Sequence, residues 1–132
     1  MILLDTDSSS LIIRGGSRRL DAMIKQIPPR DVCISAVTRA ELLYGLARKP
    51  EATRLREVVH AFLARVRSLT WNNEAATHYA EIRAWLETKG VPIGNMDLMI
   101  AAHARSAAVP LVTNNVKHFG RVPGLEVLNW TK

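Results

Sequence analysis

Three acids and one amide stand where a side chain could act on a substrate. They are Asp5 in "MILLDTD", Glu41 in "ISAVTRAELLYGL", Asp97 in "VPIGNMDLMIAAHA" and Asn115 in "LVTNNVKHF". Each ends an apolar run or begins the helix after one, and in an open parallel sheet such positions converge on one rim, outside the carboxyl ends of the strands. Carboxylates packed together repel one another unless a proton or a cation neutralises them. With oxygen donors and no His or Cys at ligand spacing, the set points to Mg²⁺ or Mn²⁺ and away from zinc. An acid-lined metal site suits phosphodiester hydrolysis, in which the metal activates a water and neutralises charge on the phosphate.

Each residue also has a structural explanation. Asp5 can cap a helix running through "DTDSSS". Thr38 and Glu41 match the Thr-x-x-Glu capping box. Asp97 falls in a first helical turn, where the helix dipole favours an acid by about 0.3–1 kcal/mol. Asn115 is an ordinary turn former. The cap does not explain why "LMIAAHA" after Asp97 is almost wholly apolar, which starts a buried helix on a carboxylate. The metal reading therefore rests on the set. His60, His78, His103 and His118 are scattered and read as surface or helix-face residues rather than ligands.

The elements that must position these residues alternate. "ILL" is a first strand and "DTDSSS" a loop or helix start; "SRRLDAMIKQI" is a helix stopped by "PPR". "DVCISAV" is a second strand and "TRAELLYGLA" a helix. "EATRLREVVHAFLARV" sets Leu55, Val58, Val59, Phe62, Leu63 and Val66 at helical spacing. After a short strand in "SLTW", a helix carries Ala75, Tyr79, Ile82 and Leu86 on one stripe, with an Asn cap and Gly90 as its stop. Gly94 and Asn95 start the Asp97 helix, "VPLVT" is a strand, "NNVKHFG" a turn or short helix, and "LEVLNW" a last strand. Alternation of this kind predicts an α/β fold, a mainly parallel sheet with helices on both faces.

The 132 residues suit one domain over 1–132, and 48% hydrophobic content spread evenly excludes a disordered chain. No run is long enough to span a bilayer, and the N-terminus lacks a basic region and a cleavage site, which predicts a cytoplasmic protein with no membrane contact. A single cysteine, Cys33 in "VCISAV", excludes a disulfide framework and reads as a buried thiol. With 18 Lys and Arg against 12 Asp and Glu, the net charge of +6 favours polyanions and makes the acid cluster more informative. Mg²⁺ would reverse the sign of that acidic centre while Arg14, Arg18, Arg19 and Arg39, near the rim in sequence, hold a phosphate backbone.

In the quoted segments, taken in order and at their spacing, the chain resembles PIN-domain ribonuclease toxins of the VapC type, over essentially its full length. The resemblance implies a PIN fold and a Mg²⁺-dependent endoribonuclease whose acids match Asp5, Glu41 and Asp97. Asp5 and Asp97 would bind the metal, Glu41 would bind it or orient the attacking water, and Asn115 would position water or phosphate. It also implies 5′-phosphate and 3′-hydroxyl ends and a tRNA substrate, initiator tRNA cut near its anticodon. The implied partners are a VapB-type antitoxin whose tail fills a groove, a second toxin copy in a homodimer, and operator DNA through the antitoxin of a toxin–antitoxin hetero-oligomer. Leu42, Leu43 and Leu46 are groove candidates.

The chain departs from the family pattern in three places. Asn115 stands where many members have a fourth acid, His118 where an acid often precedes the Phe, and "DTD" replaces the commoner "DTN", so that Asp7 can restore negative charge or bind metal through water. Two rival readings are a nucleic-acid-binding regulatory module that keeps the fold without catalysis, and a small Asp-nucleophile phosphatase suggested by "ILLDTDSSS". Ser9 misses the last residue of the phosphatase signature.

Overall fold

The computed structural model describes residues 1–132. Ile2–Leu4 (β1), Val32–Ser35 (β2), Arg67–Leu69 (β3), Leu111–Val112 (β4) and Val127–Leu128 (β5) form one five-stranded sheet in the order β3-β2-β1-β4-β5. Every pairing is parallel, with Leu3 opposite both Cys33 and Leu111. Parallel strands need crossovers, and the helices supply them. They are α1 (Thr6–Ile13), α2 (Arg18–Lys25), α3 (Ala36–Ala47), α4 (Thr53–Arg65), α5 (Asn73–Thr88), α6 (Asn95–Ala107) and the single turn α7 (Val116–Phe119). The predicted α/β architecture is the observed one.

Alternation along the strands divides the core in two. Leu3, Cys33 and Leu111 face one layer with Ile82 and Leu86 of α5 and Leu98, Ile100 and Ala101 of α6. Ile2, Leu4, Val32, Ile34 and Val112 face the other, with Leu20 of α2, Leu42 and Leu46 of α3, and Val59, Phe62 and Leu63 of α4. Strands buried on both faces must be apolar throughout, which is why β1 and β2 read as unbroken apolar runs. Cys33 is fully buried, as expected, and burial pushes its thiol pKa up.

Several local expectations change. The second strand stops at Ser35 instead of running through Val37, because the Ser35 hydroxyl accepts the Val37 N–H at 3.1 Å and starts α3 there. The Thr38–Glu41 capping box therefore does not form; Thr38 is buried inside α3 and Glu41 lies in its second turn. "DTDSSS" is helical from Thr6, and "LEVLNW" contributes only Val127–Leu128 to the sheet. The Asn cap of α5 is Asn72, which accepts the Ala75 N–H at 3.0 Å, and Gly90 follows that helix at φ 68°, a left-handed conformation glycine adopts freely.

Candidate active site

The strand order sets where a ligand can lie. The chain runs from β1 outward to β2 and β3, then returns to the other side of β1 for β4 and β5, so the switch point lies between β1 and β4. Crevices at the carboxyl ends of strands open at such a point. Asp5 directly follows β1, and Thr113 and Asn115 follow β4.

Asp5 is 2% exposed and caps α1, one carboxylate oxygen accepting the Ser8 N–H at 2.8 Å. The other accepts the Thr113 hydroxyl at 2.5 Å. Burial pushes the Asp5 carboxyl up to about 6; the Thr113 and Ser8 hydrogen bonds oppose that rise and the charge of Asp7 adds to it. Cap and site thus coincide in one side chain. Thr113 also accepts the Asn115 N–H at 2.9 Å, which ties the turn after β4 to the end of β1.

Asn115, His118 and Asp97 continue the line. The Asn115 side-chain amide nitrogen lies 3.1 Å from His118 Nδ1, and the same Nδ1 lies 3.8 Å from an Asp97 carboxylate oxygen. Asp97 is the third residue of α6, whose N-cap is Gly94, and the helix behind it is buried through Leu98 and Ile100–Ala104. Burial raises the Asp97 carboxyl above the usual range and the charge of Asp7 raises it further, while His118 pulls it down. Asn115 occupies the N-cap position of α7 without a side-chain cap bond, which leaves its amide to His118.

Glu41 reaches the rim from α3. Its carboxylate accepts the Thr6 hydroxyl at 2.6 Å, and that hydroxyl is 3.1 Å from the Thr38 hydroxyl. Thr6 adjoins Asp5, so Glu41 stands one residue from the line that joins Asp5 to Asp97. Asp7 is exposed in the first turn of α1 and makes no cap bond; Asp5 holds that role.

Two residues escaped the sequence reading. Thr113 and Thr6 each place a hydroxyl on a candidate carboxylate, and no spacing rule marks a threonine as a carboxylate's partner. His118 belongs to the rim and is not an isolated helix-face residue; its signal was the departure from an acid at that place. His103 is buried, with Nδ1 2.7 Å from the Ser35 hydroxyl, while His78 accepts the Arg105 Nε–H at 2.8 Å and His60 is exposed. Leu42 and Leu46 are core residues whose edges also line a groove beside Glu41, while Leu43, 37% exposed, lies outside that groove. Of the four arginines expected near the rim, Arg14 shares a groove with Thr6 and Glu41, Arg39 donates to Ser68 at 3.5 Å, and Arg18 and Arg19 are exposed on α2.

The donor set suits a hard cation, because Asp5, Glu41, Asp97 and Asn115 offer oxygen. No Lys or Arg forms an ion pair with any of the three acids, although the chain carries +6. As the side chains stand, however, no three His, Cys, Asp or Glu residues form a ready ion cluster. The expected packed trio is instead three carboxylates each engaged by a hydroxyl or an imidazole, an arrangement that avoids like-charge contact.

The PIN domain family model matches residues 2–125. Among curated proteins, the tRNA(fMet)-specific endonuclease VapC of Salmonella typhimurium is 36% identical over 97% of this chain and 96% of its own. The protein of the same name from Shigella flexneri is 43% identical over 76% of each. The chain belongs to the VapC family of PIN-domain ribonucleases. Solved VapC-family structures superpose closely. VapBC from S. typhimurium bound to DNA gives a TM-score of 0.91 at 36% identity over 98% and 97% of the two chains. VapBC2 from Rickettsia felis bound to a promoter DNA fragment gives 0.90 at 32% over 98% and 99%. Membership sets aside the phosphatase reading of Asp5. No helix is long and apolar enough to cross a membrane.

Proposed function

We propose that residues 1–132 form one PIN domain acting as the toxin of a toxin–antitoxin pair, a cytoplasmic Mg²⁺-dependent endoribonuclease that cuts tRNA. Initiator tRNA near its anticodon is the favoured substrate. The observation that carries this reading is a rim of acids without Lys or Arg partners at the switch point of a basic chain. The substrate follows from the S. typhimurium and S. flexneri relatives, named for tRNA(fMet). The antitoxin, the hetero-oligomer and the operator contact follow from the VapBC complexes with DNA, and the homodimer from the family resemblance.

Asp5 and Asp97 would hold Mg²⁺, or Mn²⁺, with Glu41 and Asp7 as further acids. When bound, the ion supplies an activated water and neutralises phosphate charge. Thr113 and the Ser8 amide fix both oxygens of Asp5, so its carboxylate is held in one orientation. Thr6 holds one oxygen of Glu41, the residue assigned to orient water, and leaves the other free. Asn115, anchored through its N–H to Thr113 and with its side-chain nitrogen against His118, would turn its side-chain oxygen to the water.

The test is cleavage of a tRNA panel by protein freed of antitoxin, with the cut ends mapped. A single cut near the anticodon of initiator tRNA, with 5′-phosphate ends and loss of cutting in EDTA, is expected. Asp97→Asn keeps the fold, since Asp97 makes no cap bond and the change forfeits only a helix-dipole contact of about 0.3–1 kcal/mol, and lowers cutting by about 100-fold or more. Tight tRNA binding without cutting in Mg²⁺ or Mn²⁺, matched by Asp5→Ala, would establish the regulatory module in its place.

A further inference from the structure

A groove of about 450 Å³ runs from Thr6 and Glu41 between α1, α3 and α4. Ile13, Leu42, Leu46, Leu55 and Val59 line its apolar part. Its remaining charges are Arg14, Arg48 and Lys49, and Glu41 at the site end is its one acid. None of the three cations has an ion-pair partner. On α3 the groove-lining residues Glu41, Gly45 and Arg48 follow at i, i+4 and i+7, one helical face. Gly45 leaves that face open, since a Cβ added there meets nothing within 4 Å. Beside it Tyr44 is 64% exposed, with the Arg48 guanidinium carbon 5.6 Å from its ring centroid.

Free cations along a channel that ends at an acidic reaction centre complement a polyanion whose one phosphate enters the centre while its neighbours stay outside. An exposed aromatic with a guanidinium against it is a platform on which a base stacks. We infer that this groove carries the single-stranded RNA on one side of the cut phosphate, with Arg14, Arg48 and Lys49 on successive phosphates and Tyr44 under a base. The inference rests on the ribonuclease reading above and adds to it the path of the strand.

The test measures binding of a labelled single-stranded oligoribonucleotide, by anisotropy across a salt series, in the Asp97→Asn background with EDTA. Each of Arg14→Ala, Arg48→Ala and Lys49→Ala is expected to weaken binding about fivefold and to reduce the slope of log K against log salt by about 0.7. Tyr44→Ala weakens binding with the slope unchanged, and Gly45→Leu blocks the channel. Lys89→Ala, the same charge change at the far end of α5, alters neither. Equal effects of Lys89→Ala and the groove variants, or an unchanged slope in all three, overturn the proposal. So does RNA binding at the parent level by variants that lose the antitoxin complex, which would make the groove an antitoxin channel. Cutting by wild-type protein with normal binding by the groove variants rejects only the strand path. Absence of any cutting rejects the ribonuclease reading, and the salt slopes still decide the groove.

Discussion

Asp5 is a helix cap, a buried acid and a proposed metal ligand at once, and these roles make different demands. Its carboxyl is raised from 3.8 to about 6 by burial, so the folded chain binds that proton more tightly than the unfolded chain does. Stability from this group therefore falls as pH rises from about 4 to about 6 and stays reduced at neutral pH. Asn caps as well as Asp, and its amide can donate to Thr113. Asp5→Asn should accordingly raise Tm at neutral pH in EDTA by a few degrees, about 5 °C, while abolishing RNA cutting. Mg²⁺ should then raise the Tm of wild type and leave that of the variant unchanged; a variant less stable than wild type in EDTA would mean the carboxylate is mainly structural. Asp7 tests the charge balance separately, because its field raises both Asp5 and Asp97 without a cap bond of its own. Asp7→Asn should weaken Mg²⁺ binding about two- to fivefold by calorimetry, and equal affinity with equal activity would remove it from the site.

At the level of elements, the site depends on turns too short to carry a sequence signal. The turn from Thr113 to Asn115 and the single turn of α7 hold Asn115 and His118, and α7 ends against Gly120, where an added Cβ would lie 2.6 Å from the Val116 carbonyl oxygen. That contact is with backbone, which cannot swing aside. Gly120→Ala should destabilise the protein by about 1–3 kcal/mol in urea denaturation and lower cutting as α7 shifts; a wild-type midpoint would show that α7 yields without cost. The longer helices were legible because their apolar spacing extends over several turns: Val59, Phe62 and Leu63 of α4 and Ala75, Ile82 and Leu86 of α5 are buried as their positions suggest. The start of α3 is ambiguous in the sequence, because Thr38 and Glu41 have the right spacing for a cap while Ser35 has the better-placed hydroxyl.

In the whole molecule, His103 links the two ends of the Asp97 and Glu41 machinery. It lies in α6, the helix that Asp97 begins, and its Nδ1 meets Ser35, the cap of the Glu41 helix, at 2.7 Å. Burial lowers its pKa, so below about 6.5 the unfolded chain takes up the proton first. Its contribution makes stability fall as pH drops through that region, by no more than about 1.4 kcal/mol per pH unit. Asp5 acts in the opposite direction between about 6 and 4, and the two partly cancel in wild type. His103→Gln should remove the downward limb, leaving stability that rises on mild acidification in denaturant titrations; an unchanged pH profile would show that the imidazole takes up its proton over the same pH range in both states.

The apolar runs, the helical spacing and the types of the four candidate residues are properties of the chain, and they sufficed for an α/β fold and an oxygen-donor site. Local signals could not say that β1 lies in the middle of the sheet, because strand order is set by which faces and edges pack across long separations. That order puts Asp5 beside Thr113 and brings His118 to Asp97, contacts spanning 108 and 21 positions. Capping and metal binding call for the same acids at the same helix starts, so residue type alone leaves both open. Only the burial of Asp5, the hydroxyls on Asp5 and Glu41, and the missing Lys or Arg partners separate them, and each of those exists only once the chain has closed on itself.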